Sequence, residues 1–257
     1  MSCHRIRRLS AALVLSLSLL ASCSSDDGGG KVDSGGTVDS KIVPDLGGLP
    51  DLPQKLPCES EWNQAINPQS TVSTGAVVTT DEGGGVFLTQ VDASAGGMAA
   101  AQNNPFVYLS FTDGKRVDID DVAATKSTAW DLALKRVVIR VNGGDSGPGQ
   151  GAVAVLPGKT LADVTAVPAS GELKTDDFLD ASCTVKTDPI GSIWTAFAEP
   201  TGLWYDYDTT TSKVMPKTQV YVVRTADGAG HVKLVIETYY GANGAAGNFK
   251  LRWSKLP

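Results

Sequence analysis

The sequence predicts an all-β domain, and three runs of residues carry the prediction. Phe106-Val107-Tyr108-Leu109-Ser110-Phe111 meets a Thr112-Asp113-Gly114-Lys115 turn and resumes at Arg116-Val117-Asp118-Ile119, the pattern of a hairpin. Trp130 to Val141 is the longest β-branched stretch. Thr218–Thr225 and His231–Tyr240 flank Ala226-Asp227-Gly228-Ala229-Gly230, a second hairpin with a glycine-containing loop.

Within the long run, Trp130, Leu132 and Leu134 alternate on one phase, and Val137, Ile139 and Val141 on the other. The expectation is one strand whose register slips at Lys135-Arg136 through a β-bulge. Phe249-Lys250-Leu251-Arg252-Trp253 reads as a last strand, and Gly202–Tyr207 as an aromatic one. Helical patterns are short, the best being Asp176-Asp177-Phe178-Leu179 with Thr175 as its cap.

Before the domain comes a leader. Arg5, Arg7 and Arg8 precede an apolar run from Ala11 to Leu20, and Leu20-Ala21-Ser22-Cys23 closes it. A basic start, a short apolar centre and small residues before a cysteine make a lipoprotein signal, with a centre too short to span a bilayer as a helix. The pattern resembles the bacterial lipobox, which implies a diacylglyceryl group on the Cys23 thiol and an acyl chain on its amine. Two or more chains give stable anchoring where one does not. Residues 1–22 are thus expected to be removed. Residues 23–57, rich in Gly, Asp, Ser and Pro, bury too little apolar surface to fold and form a disordered spacer. Residues 58–257 make a single domain.

Cysteine usage follows. Cys3 leaves with the signal and Cys23 carries lipid, so Cys58 and Cys183 remain in an oxidising compartment. A bridge between them is expected, two buried thiols being the alternative. The chain carries a net charge of −6 with 22 basic and 28 acidic residues; loss of three arginines leaves 19 basic residues, or −9. Such a field does not seek nucleic acid, and no basic cluster overrides it.

Several motifs dissolve on inspection. Pro157-Gly158-Lys159-Thr160 resembles the end of a phosphate loop, but Val153 stands where the first glycine belongs, so it reads as a turn. Asp118, Asp120 and Asp121 lack the glycine and terminal glutamate of a calcium loop and read as a solvated turn. The mature chain has one histidine, His231, which removes most triad and metal chemistry. His231 is placed at a hairpin mouth, on the face of Lys233 and Glu237, with Val232, Leu234 and Ile236 on the other. No nucleophile and base stand together, so no enzyme is expected.

Ala129-Trp130-Asp131-Leu132-Ala133-Leu134-Lys135-Arg136, then Arg140-Val141-Asn142-Gly143-Gly144-Asp145-Ser146-Gly147-Pro148-Gly149-Gln150-Gly151-Ala152-Val153, and later Val220–Gly228, resemble the HmuY family of haem-binding lipoproteins. The likeness runs from about Phe106 to the C-terminus. It implies an all-β, antiparallel domain likened to a hand that closes on haem, with capture at the cell surface and delivery to an outer-membrane receptor. The implied location is the bacterial cell envelope, at the outer membrane, and Ser24 after the lipidated cysteine resembles the sorting context for that membrane.

The family's axial histidines have no counterpart. Asp208-Thr209-Thr210-Thr211-Ser212 follows the aromatic strand, and no histidine or methionine lies between Leu173 and Pro200. Candidate substitutes are Met215 first, for its nearness to the aromatic strand, then His231, with Met98 more distant. Trp204, Tyr205 and Tyr207 are the expected wall against the porphyrin face, the two tyrosines also being capable of ligating iron as phenolates. Two readings follow: a module binding haem or another flat ligand, or a cofactor-free, lipid-anchored β-scaffold contacting protein or polysaccharide. Cys23→Ala should release the protein from membranes; full partition of the variant with membranes after a high-salt wash would contradict the anchor.

Overall fold

The computed structural model describes residues 58–188, 191–198 and 202–257; the signal peptide, Cys23 and the spacer lie outside them. The strands are β1 (Val77–Gly83), β2 (Val86–Asp92), β3 (Val107–Ser110), β4 (Lys115–Val117), β5 (Leu132–Lys135), β6 (Val138–Val141), β7 (Ala152–Pro157), β8 (Tyr205–Asp208), β9 (Lys213–Pro216), β10 (Gln219–Arg224), β11 (His231–Tyr240) and β12 (Ala246–Leu256). Helices are few, α1 (Glu59–Ile66) and the single turn α2 (Asp121–Ala124). A six-stranded sheet runs in the order β1-β2-β12-β11-β10-β7, a four-stranded one β4-β3-β5-β6, and β8-β9 form a separate hairpin. Strand neighbours within each sheet pair antiparallel.

The main core joins the two large sheets. Val107, Leu109, Leu132 and Leu134 from the smaller sheet share one buried cluster with Tyr221, Val223, Leu234, Leu251 and Trp253 from the larger. Each sheet also has a covered outer face. Trp62 and Ile66 of α1 pack with Phe106, Tyr108, Trp130 and Phe178 on the four-stranded sheet. Val220, Val222 and Ala154 on the six-stranded sheet lie under Leu161, Val164 and Leu173. That double covering explains why β10 is an unbroken apolar run and β11 alternates.

Three expectations need correction. Trp130–Val141 is not one bulged strand: Arg136, at φ 51, and Val137 form a two-residue turn between β5 and β6, pairing Leu132 with Val141 and Leu134 with Ile139. Paired residues share a face, so the phase change is the chain reversing over one core. Asp176–Leu179 is not helical; Gly144 and Lys174 sit in isolated bridges with Asp176 and Val153. Asp121 is not solvated. It is buried and accepts hydrogen bonds from the Gln69 amide (3.1 Å), the Phe106 amide (3.0 Å) and the Tyr108 hydroxyl (2.9 Å), while Asp120 caps α2 and Asp118 pairs with Arg116. Among the described residues no cluster of His, Cys, Asp and Glu suits a metal ion.

The glycine-rich segment after β6 is a fixed loop. Asn142 donates to the carbonyls of Ser127 and Trp130, both at 2.8 Å, and accepts from the Gly149 amide at 3.0 Å. A Cβ on Gly143 would lie 2.1 Å from the Gly151 carbonyl oxygen, so only glycine fits there. Asp131, buried at the start of β5, accepts from the amides of Phe111 (2.6 Å) and Ala226 (2.7 Å), tying β3 to the β10–β11 loop.

Asp176 is the second buried carboxylate with many partners. It accepts from the Val141 amide (2.9 Å), the Ser146 hydroxyl (2.5 Å) and the Ala196 amide (2.8 Å). Arg140, also buried, donates to the Ser146 hydroxyl (2.9 Å) and carbonyl (2.8 Å) and lies 4.8 Å over the Phe106 ring. Cys58 and Cys183 are joined with Cα atoms 5.2 Å apart, fastening the residue before α1 to the loop that follows Phe178.

Two predictions follow from these ties. Peptide mapping without reduction should recover Cys58 linked to Cys183, and replacing both by serine should cost about 2–5 kcal/mol of stability; two free thiols in protein from the cell envelope would contradict the bridge. Burial pushes the Asp176 carboxyl up to about 6, against the opposing pull of Ser146, Ala196, Arg140 and Val141. Its native pKa exceeds the ordinary value of 3.8, so the native state keeps a proton that the unfolded chain has released, and the contribution to stability declines as pH rises through that window. About two pH units correspond to about 3 kcal/mol. Urea denaturation between pH 4 and 7 should show a shallower decline for Asp176→Asn than for the unmodified domain; equal slopes would contradict the assignment.

Candidate functional site

A cleft of 680 Å³ opens beside β7, lined by Val155, by residues 171–175 and Asp177, and by Lys186 and residues 194–196. Its size is that of a small-ligand site. The sequence builds it from two extended segments laid against a strand edge. Lys174 bridges to Val153 of β7 with reciprocal 2.8 Å backbone hydrogen bonds, which holds the first wall. The second wall returns through Lys186, whose carbonyl accepts from the Trp194 amide at 2.9 Å.

Asp176 fastens the walls together from beneath. Its neighbours Thr175 and Asp177 line one side, its backbone accepts from Asp145, and its carboxylate holds Ala196 on the other side. The cleft surface carries the half-buried Trp194 and two ammonium groups, Lys174 and Lys186. Lys186 pairs with the exposed Asp177 at 2.7 Å, and Lys174 donates to the Gly171 carbonyl at 2.9 Å. Surface pairs of this kind are worth little, so an incoming carboxylate can compete for either cation. Chemically the cleft offers a flat apolar wall and two ammonium groups, balanced in charge by the Glu172 and Asp177 carboxylates on the same lining.

None of the residues singled out from sequence lines this cleft. Trp204 is buried in the main core, donating from its indole to the Val137 carbonyl at 2.7 Å and packing on Tyr205, Tyr239 and Phe249. Tyr205 is buried beside it. Burial, then the nearby Asp188 carboxylate and Tyr239, raise its pKa, so the phenolate needed to ligate iron is disfavoured. Its hydroxyl has no hydrogen-bond partner among the described residues. Tyr207 is half exposed, so the three aromatics do not form one wall.

Met215 is 48% exposed, not packed in a core gap. It pairs with Asp206 across the β8–β9 hairpin, whereas Tyr207 pairs with the buried Val214, so Met215 faces away from both tyrosines. His231 opens β11 and pairs with Arg224; burial first and the Arg224 charge second lower its pKa. The Val214 amide donates to the Tyr240 hydroxyl at the other end of β11. Nine residues of strand separate Tyr240 from His231, about 30 Å at the usual rise, so Met215 and His231 cannot meet at one iron. Met98 stands in an exposed loop.

Sequence reasoning missed Lys174, Lys186 and Trp194. The stretch holding them is net acidic and lacks strand periodicity, so no sequence pattern marks them.

Comparison with curated proteins finds no match. Among solved structures, a candidate HmuY-like heme binding protein from Bacteroides vulgatus is 19% identical, with 70% of this chain and 96% of that one covered and a TM-score of 0.46. The apo HmuY analog of Tannerella forsythia is 14% identical, with 70% and 97% covered and a TM-score of 0.45. The family model described as HmuY protein matches residues 102–253, a span that takes in Trp130, Asp131 and the β5 strand after them, the Asn142–Gly151 loop, the described cleft lining and the Thr225–Gly228 turn. With more than half of its length matched, this chain belongs to the HmuY family.

Proposed function

We propose that the protein is a binding module of the bacterial cell envelope, lipid-anchored through Cys23, that captures a haem-type tetrapyrrole in the cleft beside β7. The observation that carries this reading is the composition of that cleft: a half-buried indole, apolar floor residues Val155 and Ala196, and ammonium groups from both walls. A tetrapyrrole is a flat apolar disc bearing carboxylates on one edge. Trp194 suits its face, and Lys174 and Lys186 suit its carboxylates. Family membership supports the same reading. Presentation at the outer membrane and transfer to a receptor there complete the proposal. Cys58 and Cys183 serve as its structural staple rather than as ligands.

The experiment is a haemin titration of the domain followed at the Soret band. Saturable binding with a stoichiometry of one is expected. Trp194→Ala should weaken it about tenfold, the equivalent of about 1.4 kcal/mol. Met215→Ala and His231→Ala should leave both affinity and band positions unchanged; a band shift in either would move the site to that residue. Failure of the unmodified domain to bind haemin would favour the cofactor-free scaffold instead.

A further inference from the structure

We propose that the cleft recognises the macrocycle and its carboxylates but not the iron, so that iron-free dicarboxylic tetrapyrroles are ligands as good as haem. The inference rests on the cleft being the tetrapyrrole site and extends it to ligand class.

Protein ligands of haem iron are the imidazole of histidine, the sulfur of methionine or cysteine, and the phenolate of tyrosine. Among the described residues the cleft lining contains none of them. From Ser170 to Thr201, which includes both walls, the sequence has no His, Met or Tyr, and its one cysteine, Cys183, is joined to Cys58. The two carboxylates on the lining are engaged elsewhere, Glu172 with the Ala169 amide at 2.9 Å and Asp177 with Lys186 at 2.7 Å. The ligand types that occur elsewhere in the domain are not on the described lining. Tyr205 is a core phenol, Met215 projects from the opposite face of its hairpin to the tyrosines, and His231 lies against Arg224. The residues present fit the organic part of haem and do not fit its metal.

A site that ligates iron gains the metal–ligand bond with haemin and forfeits it with the iron-free ring, so the two affinities part widely. A site that grips only the disc and its carboxylates gives a ratio near one. Removing the central metal leaves the face area and both carboxylates intact. The same two lysines and the same indole should therefore govern both ligands.

The test is a parallel titration of the full domain with haemin and with protoporphyrin IX, followed by absorbance for the first, by porphyrin fluorescence for the second, and by competition between them. Dissociation constants within about threefold of each other are expected, with mutual displacement and with a haemin spectrum lacking the bands of a protein-ligated low-spin iron. Lys174→Glu combined with Lys186→Glu should weaken both ligands by the same factor, about tenfold or more, and leave the melting temperature unchanged because both side chains lie at the surface. A haemin preference of a hundredfold or more, or ligated-iron bands in its spectrum, overturns the inference while leaving the cleft as a haem site. Binding of both ligands that ignores the double lysine variant and Trp194→Ala overturns the assignment to this cleft. If neither ligand binds, the proposed function falls and this inference falls with it.

Discussion

The carboxylate of Asp176 is the constraint on which the site depends. It is fully buried and meets the amide of a core strand, the hydroxyl of Ser146 and the amide of Ala196. Val141 and Ser146 come from the end of β6 and the loop after it, and Ala196, some fifty residues on, opens a single 3-10 turn. A buried charge with one partner would be a liability; one with three donors and a nearby guanidinium is a fixed junction. Arg140 does not touch the carboxylate directly in the hydrogen-bond pattern. It reaches Asp176 through Ser146, and its own burial is made tolerable by the faces of Phe106 and Trp130. The cleft walls are extended chain with few ladder bonds, so their spacing is set at this junction rather than by a sheet.

A second junction underlies the segments in which the chain resembles its family. Asp131, Asn142 and the glycines between Gly143 and Gly151 hold a loop in which backbone carbonyls approach where any Cβ would intrude. Each of those residues answers to a geometric demand that no other residue type meets, and none touches the cleft. They are the residues by which the chain resembles its family. Signature and binding site are therefore separate, and the scaffold can be retained while the groups facing a ligand change.

The strands were readable where one face is buried and one is wet, because alternation then records the burial directly. β11 belongs to this class, whereas β10 and β3, covered on both faces, were readable as apolar runs bounded by turn residues. The β5–β6 turn was misread because Arg136 adopts a left-handed conformation without glycine to announce it, and the hydrophobic phase changes at a bulge and at a reversal alike. β1 and β2 went unmarked because β1 lies at a sheet edge and exposes most of its side chains. The site was less legible still. Proximity in sequence favoured Met215 as neighbour of Tyr205 and Tyr207, but in a hairpin adjacent positions face opposite ways, so nearness along the chain placed them apart. Lys174, Lys186 and Trp194 come together through backbone bonds from Lys174 to Val153 and from Trp194 to Lys186, and through the Asp176 junction, none of which leaves a periodic trace.

Electrostatics further constrains how such a cleft can work. The chain is net negative, as is a tetrapyrrole with ionised carboxylates, so the overall field repels the ligand at long range. At physiological ionic strength that field is screened beyond about 8 Å. In the proposed complex Lys174 and Lys186 would therefore act only once the ligand has arrived, orienting its carboxylated edge rather than steering it in. The larger share of the binding free energy must then come from removing the flat apolar face from water against Trp194, Val155 and Ala196, a term that salt weakens little. A cleft of this kind controls how long its ligand stays more than how fast it comes. Retention then depends on the two walls keeping their distance, which returns the matter to the hydrogen bond between the Ala196 amide and the buried carboxylate beneath them.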